Sequence, residues 1–268
     1  MEIRNDDRSA AFPGIVGLFI LLTATSLWCE GEAAERVVDL TYTFDDTTQV
    51  WPSNRPFHRD STVQGGTAGE AWYATGQVVL SEHAGTHMDA PIHFAQGQAG
   101  IDGIAVERLR GPAVVIDVRT QVSGDRDYRL SLADIHRWEA RQGTIPAGAI
   151  VMMLTGWGAY WKDRNQYFGS GTPDLAATLH FPGFSKEAAE FLVAERLIHG
   201  VGIDTPSIDY GGSQDFVVHR ILAEAGLYGL ENVARLEEVP PSGATLLALP
   251  MKIAGGTGAP VRIIAIVP

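Results

Sequence analysis

Cysteine is all but missing from this sequence: 268 residues contain one, Cys29. A lone thiol cannot close an intramolecular disulfide or build a thiolate metal site, so any bound metal must sit on nitrogen and oxygen. Positive charge is scarce too. Twenty Lys and Arg stand against 32 Asp and Glu, a formal charge of −12. Such a chain offers nucleic acid or an anionic membrane no basic face, which leaves small molecules as the expected ligands. The G-x-S-x-G elbow of serine hydrolases is absent, which weighs against a nucleophilic serine.

Membrane-length apolar runs are lacking as well. The run Ile15 to Leu27 (IVGLFILLTATSL) has 13 residues, short of the roughly 20 that cross a hydrocarbon core, and it fits the h-region of a secretory signal. Small residues at Gly31 and Ala33 predict cleavage after Ala33, so that residues 1–33 form a signal peptide and residues 34–268 the exported, periplasmic domain. Acidic Glu2, Asp6 and Asp7 offset Arg4 and Arg8, a poor n-region that keeps an uncleaved membrane anchor as the alternative. Trp28 before Cys29 argues against a lipoprotein. Cleavage removes five acids, two bases and the cysteine, leaving 27 acids against 18 bases and a net charge of −9.

What is present is core. Hydrophobic residues make up 45% of the chain and charged ones 19%, which suits one globular domain. Strand-length apolar or alternating runs recur at Val37–Tyr42, Ala71–Leu80, Ala113–Val118, Ile150–Leu154, Gly200–Ile203, Thr245–Leu249 and Val261–Val267. Helical patterns interleave with them: Ser131-Leu-Ala-Asp134 reads as a capping signal, Ser185 opens KEAAEFLVAERL, and Val217–Ala225 is a third segment. The polar stretch Thr43–Gly69 reads as a long functional loop. The pattern predicts a single α/β domain with a mixed β-sheet.

One stretch concentrates chemistry. SEHAGTHMDAPIHF, residues 81–94, holds three of the eight histidines and an aspartate. His83, His87, Asp89 and His93 all occupy odd positions, and alternate side chains of an extended chain share a face. Gly85 and Pro91 disfavour a helix, so a strand or strand edge is expected. Two imidazoles and a carboxylate suit Zn²⁺ or Mn²⁺, and three protein ligands leave positions open for water and substrate. Thr86 is a candidate for orienting a ligand. Trp51, Phe57, Trp72, Tyr73 and Phe94 are candidates for lining an aromatic substrate pocket, although aromatics on strands also serve as core.

This stretch resembles the HxGTHxDxPxHF signature of the cyclase family of metal-dependent hydrolases, of the kynurenine formamidase and isatin hydrolase kind, at eight specified positions. Val218-His219-Arg220 with Leu230-Glu231-Asn232, Trp51-Pro52, His180-Phe-Pro-Gly183 and Gly255-Gly-Thr-Gly-Ala-Pro-Val-Arg262 are similar to further family segments. The resemblance implies a swivelling β/β/α fold, a homo-oligomer of at least two chains, and hydrolysis of a C–N bond in a small aromatic amide or lactam. It implies that His83, His87 and Asp89 hold one divalent ion and that His93 is the acid/base. In members with two ions Asp89 and Glu231 would bridge to a second that His219 also binds. It also puts Trp51 and His180 near substrate, although a Pro-Gly turn explains His180 equally well. His58, His136 and His199 read as structural or solvated. A non-catalytic periplasmic binding protein and an ester or lactone hydrolase remain open at this point.

Overall fold

The computed structural model describes residues 35–65, 71–173 and 178–268. The expected signal peptide therefore lies outside the described residues. Twelve strands are present among the described residues: β1 (Arg36–Asp39), β2 (His58–Gln64), β3 (Ala74–Val79), β4 (His87–Asp89), β5 (Arg110–Asp117), β6 (Arg129–Leu130), β7 (Ile150–Leu154), β8 (Gly183–Phe184), β9 (Gly200–Ile203), β10 (Tyr228–Glu231), β11 (Thr245–Pro250) and β12 (Gly258–Val267). Helices α1 (Arg119–Val122), α2 (Leu132–Gln142), α3 (Arg164–Tyr167), α4 (Lys186–Arg196) and α5 (Val217–Glu224) interleave with them.

The main sheet runs β1-β12-β11-β5-β7-β9-β10-β4, and β4 pairs again with β12, so seven of its strands close into a ring. Strands β5, β7, β9 and β10 are parallel, as crossover connections require, while β4, β11 and β12 run antiparallel to their neighbours. β12 divides one edge between two partners: Gly258–Pro260 pairs with β4 and Ile264–Val267 with β1.

Alternation along the strands builds two cores. On β5 and β7, Ala113, Val115, Ile150, Met152 and Leu154 point into the closed sheet beside Leu230, Leu246 and Ile263. Val114, Ile116, Val151 and Met153 point outward, with Ile135, Trp138, Leu192 and Leu222 of the helices. Every residue of β7 is buried, the mark of a strand covered on both faces. α2 starts with a capping box in which Asp134 Oδ2 accepts the Ser131 N–H at 2.9 Å. α4 starts where Ser185 accepts from Ala188 N at 3.1 Å.

The mixed α/β sheet is as expected. The stretch Thr43–Gly69 is not all loop, because β2 forms in it and pairs with β3 as a separate two-stranded ribbon. Polar residues hid β2, since HRDSTVQ shows no hydrophobic alternation. The segment 81–94 is not one strand either. Only His87–Asp89 is extended as β4, with turns before it and a 3₁₀ turn at Pro91–His93 after it.

Candidate metal centre and active site

β4 carries His87 and Asp89 on one face, two residues apart, and β10 lies antiparallel beside it with Glu231 directly opposite His87 and Gly229 opposite Asp89. Cross-strand partners of this kind sit about 5 Å apart, which brings the carboxylate of Glu231 to the imidazole without any loop. His87 Nε2 lies 3.3 Å from both Asp89 Oδ1 and Glu231 Oε2. His219, in the first turn of α5, closes the other side, its Nε2 at 3.2 Å from Asp89 Oδ2 and 3.1 Å from Glu231 Oε1. His83 approaches from the turn before β4, with Nδ1 at 2.6 Å from Asp89 Oδ1.

The outer nitrogens are held as well. His87 Nδ1 is 2.9 Å from the Gly85 carbonyl, which also accepts from Asn232 Nδ2 at 2.7 Å. Gly85 takes φ +58, and a Cβ there would meet Phe44 at 2.8 Å, so only glycine lets that carbonyl turn toward the ring. Asn232 Oδ1 in turn accepts from the Tyr167 hydroxyl at 2.7 Å. Asp209 Oδ2 holds His219 Nδ1 at 2.7 Å while its carboxylate accepts the N–H groups of Val218 and His219, each at 3.1 Å, at the start of α5. Thr86 Oγ1 donates to the Asn232 carbonyl at 2.7 Å and accepts from Tyr42 N at 3.0 Å, so it ties together the backbone that positions the ligands.

Electrostatics follow from this crowding. Burial opposes charge on Asp89, but His87, His219 and His83 override it and hold the carboxyl well below its ordinary range. Burial and the charge of Asp89 push Glu231 up, and hydrogen bonds from His219 and His87 outweigh them and lower it. Burial would lower His87, yet Asp89 and Glu231 raise it to about 10. Burial likewise opposes charge on His219, and Asp209, Asp89 and Glu231 lift it well above the usual imidazole value. Two ionised carboxylates stabilise positive charge at this spot, and a divalent cation can supply it in place of protons.

The donor set fits such an ion. His83, His87 and Asp89 form one group, and Asp89, His219 and Glu231 a second that shares Asp89, each with its ligand atoms within 4.8 Å of one another. All donors are nitrogen or oxygen, suited to Zn²⁺ or Mn²⁺, and the geometry offers places for one ion or two.

A cavity of about 220 Å³ opens over the cluster. Trp51, Phe94, Phe168 and Phe216 form apolar walls, and Gln49, Asn54 and Ser207 add polar points. Gly85 N donates to the Gln49 carbonyl at 2.9 Å and Val50 bridges Ala84, which places Trp51 at the rim. Phe216, at φ +48 before α5, turns its ring edge-on to Trp51. A large residue in this backbone region is strained and is held by its surroundings. His93 stacks on His83, ring centroids 4.1 Å apart, and lines the cavity. Its ring nitrogens have no hydrogen-bond partner among the described residues. His93 is open to solvent on one side, and partial desolvation by the residues around it lowers its pKa to about 4; Asp89 and Glu231 oppose that shift, and His83 and His219 add to it.

Of the residues predicted from sequence, the structure brings His83, His87, Asp89, His93, His219, Glu231, Trp51 and Phe94 to this cavity. It does not bring four others there. Phe57 packs edge-on against Phe44. Trp72 and Tyr73 precede β3 and are 74% and 60% exposed, with no layer of the described residues packed over them. His180 pairs with Asp127 Oδ2 at 2.8 Å on the surface, so its Pro-Gly turn is explanation enough. Residues overlooked in the sequence are Asp209, Tyr167, Phe168 and Phe216. Asn232 and Thr257 lie inside Leu230-Glu231-Asn232 and Gly255-Gly-Thr-Gly-Ala-Pro-Val-Arg262, but nothing in their type alone marks a role.

Comparisons with known proteins find relatives that cover most of the chain. The family model described as "Putative cyclase" matches residues 38–210. Isatin hydrolase of Roseibium aggregatum is 36% identical over 205 residues, 74% of this chain and 76% of that protein. Kynurenine formamidase of Salinibacter ruber is 30% identical over 229 residues, 85% of this chain and 96% of that protein. Among solved structures, isatin hydrolase A from Ralstonia solanacearum superposes with a TM-score of 0.80 at 35% identity, covering 87% of this chain and 92% of that one.

Proposed function

From the premise that this chain belongs to the cyclase family, we propose that it is a metal-dependent hydrolase opening the C–N bond of a small aromatic amide or lactam. The observation that carries this reading is the placement of a nitrogen-and-oxygen donor cluster at the floor of an aromatic-walled cavity, with His93 beside it. The relatives' names support the substrate class, since isatin is a lactam fused to an aromatic ring and the formamidase cleaves an aryl amide.

A divalent ion in such a cluster supplies Lewis acidity toward a carbonyl and makes water acidic enough to ionise near neutral pH. The chain's own residues would supply the rest. His83, His87, Asp89, His219 and Glu231 hold and neutralise the charge. Trp51, Phe94, Phe168 and Phe216 take the flat ring of the substrate and exclude water around it. His93, whose ring nitrogens have no partner among the described residues, takes the proton of the attacking water at one nitrogen and returns it to the departing amide nitrogen, which otherwise leaves poorly.

The test is metal removal and restoration on the purified protein, followed by turnover of isatin and N-formylkynurenine. Chelation is expected to abolish turnover, and Mn²⁺ or Zn²⁺ to restore it. In His93→Ala metal content should stay at the wild-type level while kcat falls about 10²–10⁴-fold. Undiminished turnover by the demetallated protein would sink the reading.

A further inference from the structure

The three imidazoles of the cluster do not present the same atom to it. His87 and His219 have Nδ1 engaged, by the Gly85 carbonyl and by Asp209, and face the carboxylates with Nε2. His83 is reversed, with Nδ1 against Asp89 and Nε2 pointing outward to Thr257 Oγ1 at 3.0 Å.

We propose that Glu82 and Thr257 form a relay that fixes His83 as its Nε2–H tautomer and thereby reserves Nδ1 for the metal. The inference rests on the metal reading above. It follows from counting protons. Thr257 donates to one oxygen of Glu82 twice, from its backbone N at 3.0 Å and from its hydroxyl at 2.6 Å. A hydroxyl has a single proton and a carboxylate only accepts, so the Thr257 oxygen has nothing left to give to His83. It can only accept, and the donor must be His83 Nε2–H. The polarity runs one way, from His83 through Thr257 to Glu82.

The relay is itself held in place. The carbonyl of Thr257 accepts from Ala90 N at 2.9 Å, beside Asp89. The next residue, Gly258, pairs with Asp89 in the β12–β4 register, and a Cβ there would come within 2.6 Å of His83 Cε1. A glycine at 258 is therefore what allows the ring to lie against the strand with Nδ1 turned inward. Neither Glu82 nor Thr257 lines the cavity or belongs to the donor groups. They are positioning residues, and partners of this kind set both the tautomer and the basicity of a metal-binding imidazole.

Two measurements on the whole protein test the relay. Long-range proton–nitrogen spectra of ¹⁵N-histidine-labelled protein loaded with Zn²⁺ should show His83 with its proton on Nε2 and the metal-shifted signal on Nδ1. Competition titration of Zn²⁺ against a chromophoric chelator should show Thr257→Val binding about 10–100-fold more weakly than wild type, and Thr257→Ser, which keeps the hydroxyl, restoring the affinity. A His83 signal with the metal on Nε2, or Thr257→Val binding Zn²⁺ as tightly as wild type, would overturn the relay alone. Should Thr257→Val fail to fold, the wild-type spectrum decides. Wild-type protein that takes up no Zn²⁺ at all would overturn the metal reading, and the relay with it.

Discussion

Two histidine–aspartate pairs in this molecule have nearly the same length and opposite consequences. His58 and Asp60 lie 2.9 Å apart on the β2 arm, with 63% and 62% of their side chains exposed. His219 and Asp209 lie 2.7 Å apart beside the cavity, with 7% and 1% exposed. Water screens the outer pair, and exposed ion pairs contribute about 0–1 kcal/mol. The inner pair is desolvated, and its carboxylate also accepts two backbone N–H groups at the start of α5. There the aspartate settles three things together: where the helix begins, which way the imidazole faces, and which nitrogen is left for the cluster. Residue type and distance are alike; surroundings make one pair incidental and the other part of a site.

Substitutions can break or sharpen this contrast. The largest effect is expected from Asp209→Asn, which places an amide against His219 Nδ1 and should weaken divalent metal binding about 10–100-fold, read by chelator competition. Wild-type affinity in that variant would make the buried pair no more important than the exposed one. Tyr167→Phe comes next. It removes the hydroxyl that donates to Asn232 Oδ1 within the buried support of His87, and the unfolding free energy from denaturant titration should drop by about 1–3 kcal/mol. The smallest effect belongs to His58→Ala on the arm, expected within about 0.5 kcal/mol of wild type with metal affinity unchanged. A larger loss there would show that the β2–β3 ribbon is packed against something in solution.

The fold was legible in the sequence where both faces of an element carry the same instruction. Ile150–Leu154 and Gly200–Ile203 match β7 and β9 residue for residue, since a strand buried on both sides is continuously apolar. α2 was marked by its capping box, and α4 by Ser185 before an apolar period. Short or exposed elements were not legible. β4 has three residues and β2 has no apolar face, so neither carries a period long enough to read. The site shows the same division. The spacing of His83, His87, Asp89 and His93 points to shared chemistry through an extended strand or strand edge, but only His87–Asp89 is extended. The four side chains converge through a three-residue strand flanked by turns. Asp209 escaped notice because its partner is ten residues away, across a loop whose path no local pattern describes. Trp72 and Tyr73 lie close to the motif in sequence, but such proximity says nothing about the direction in which an arm leaves the sheet.

What the sequence determined by itself was chemistry: nitrogen and oxygen donors without thiols, a local cluster in residues 81–94, and enough apolar residues for a mixed sheet with helices. Tertiary structure alone decided which atoms meet. Glu231 reaches His87 because β10 pairs with β4 in one register, and a slip of a single residue would turn that carboxylate to the opposite face. His219 reaches Asp89 across 130 positions because α5 is anchored by Asp209. Side-chain type and near-neighbour spacing are local properties of a chain. Convergence of distant donors depends on strand pairing and burial, which exist only once the sheet has closed.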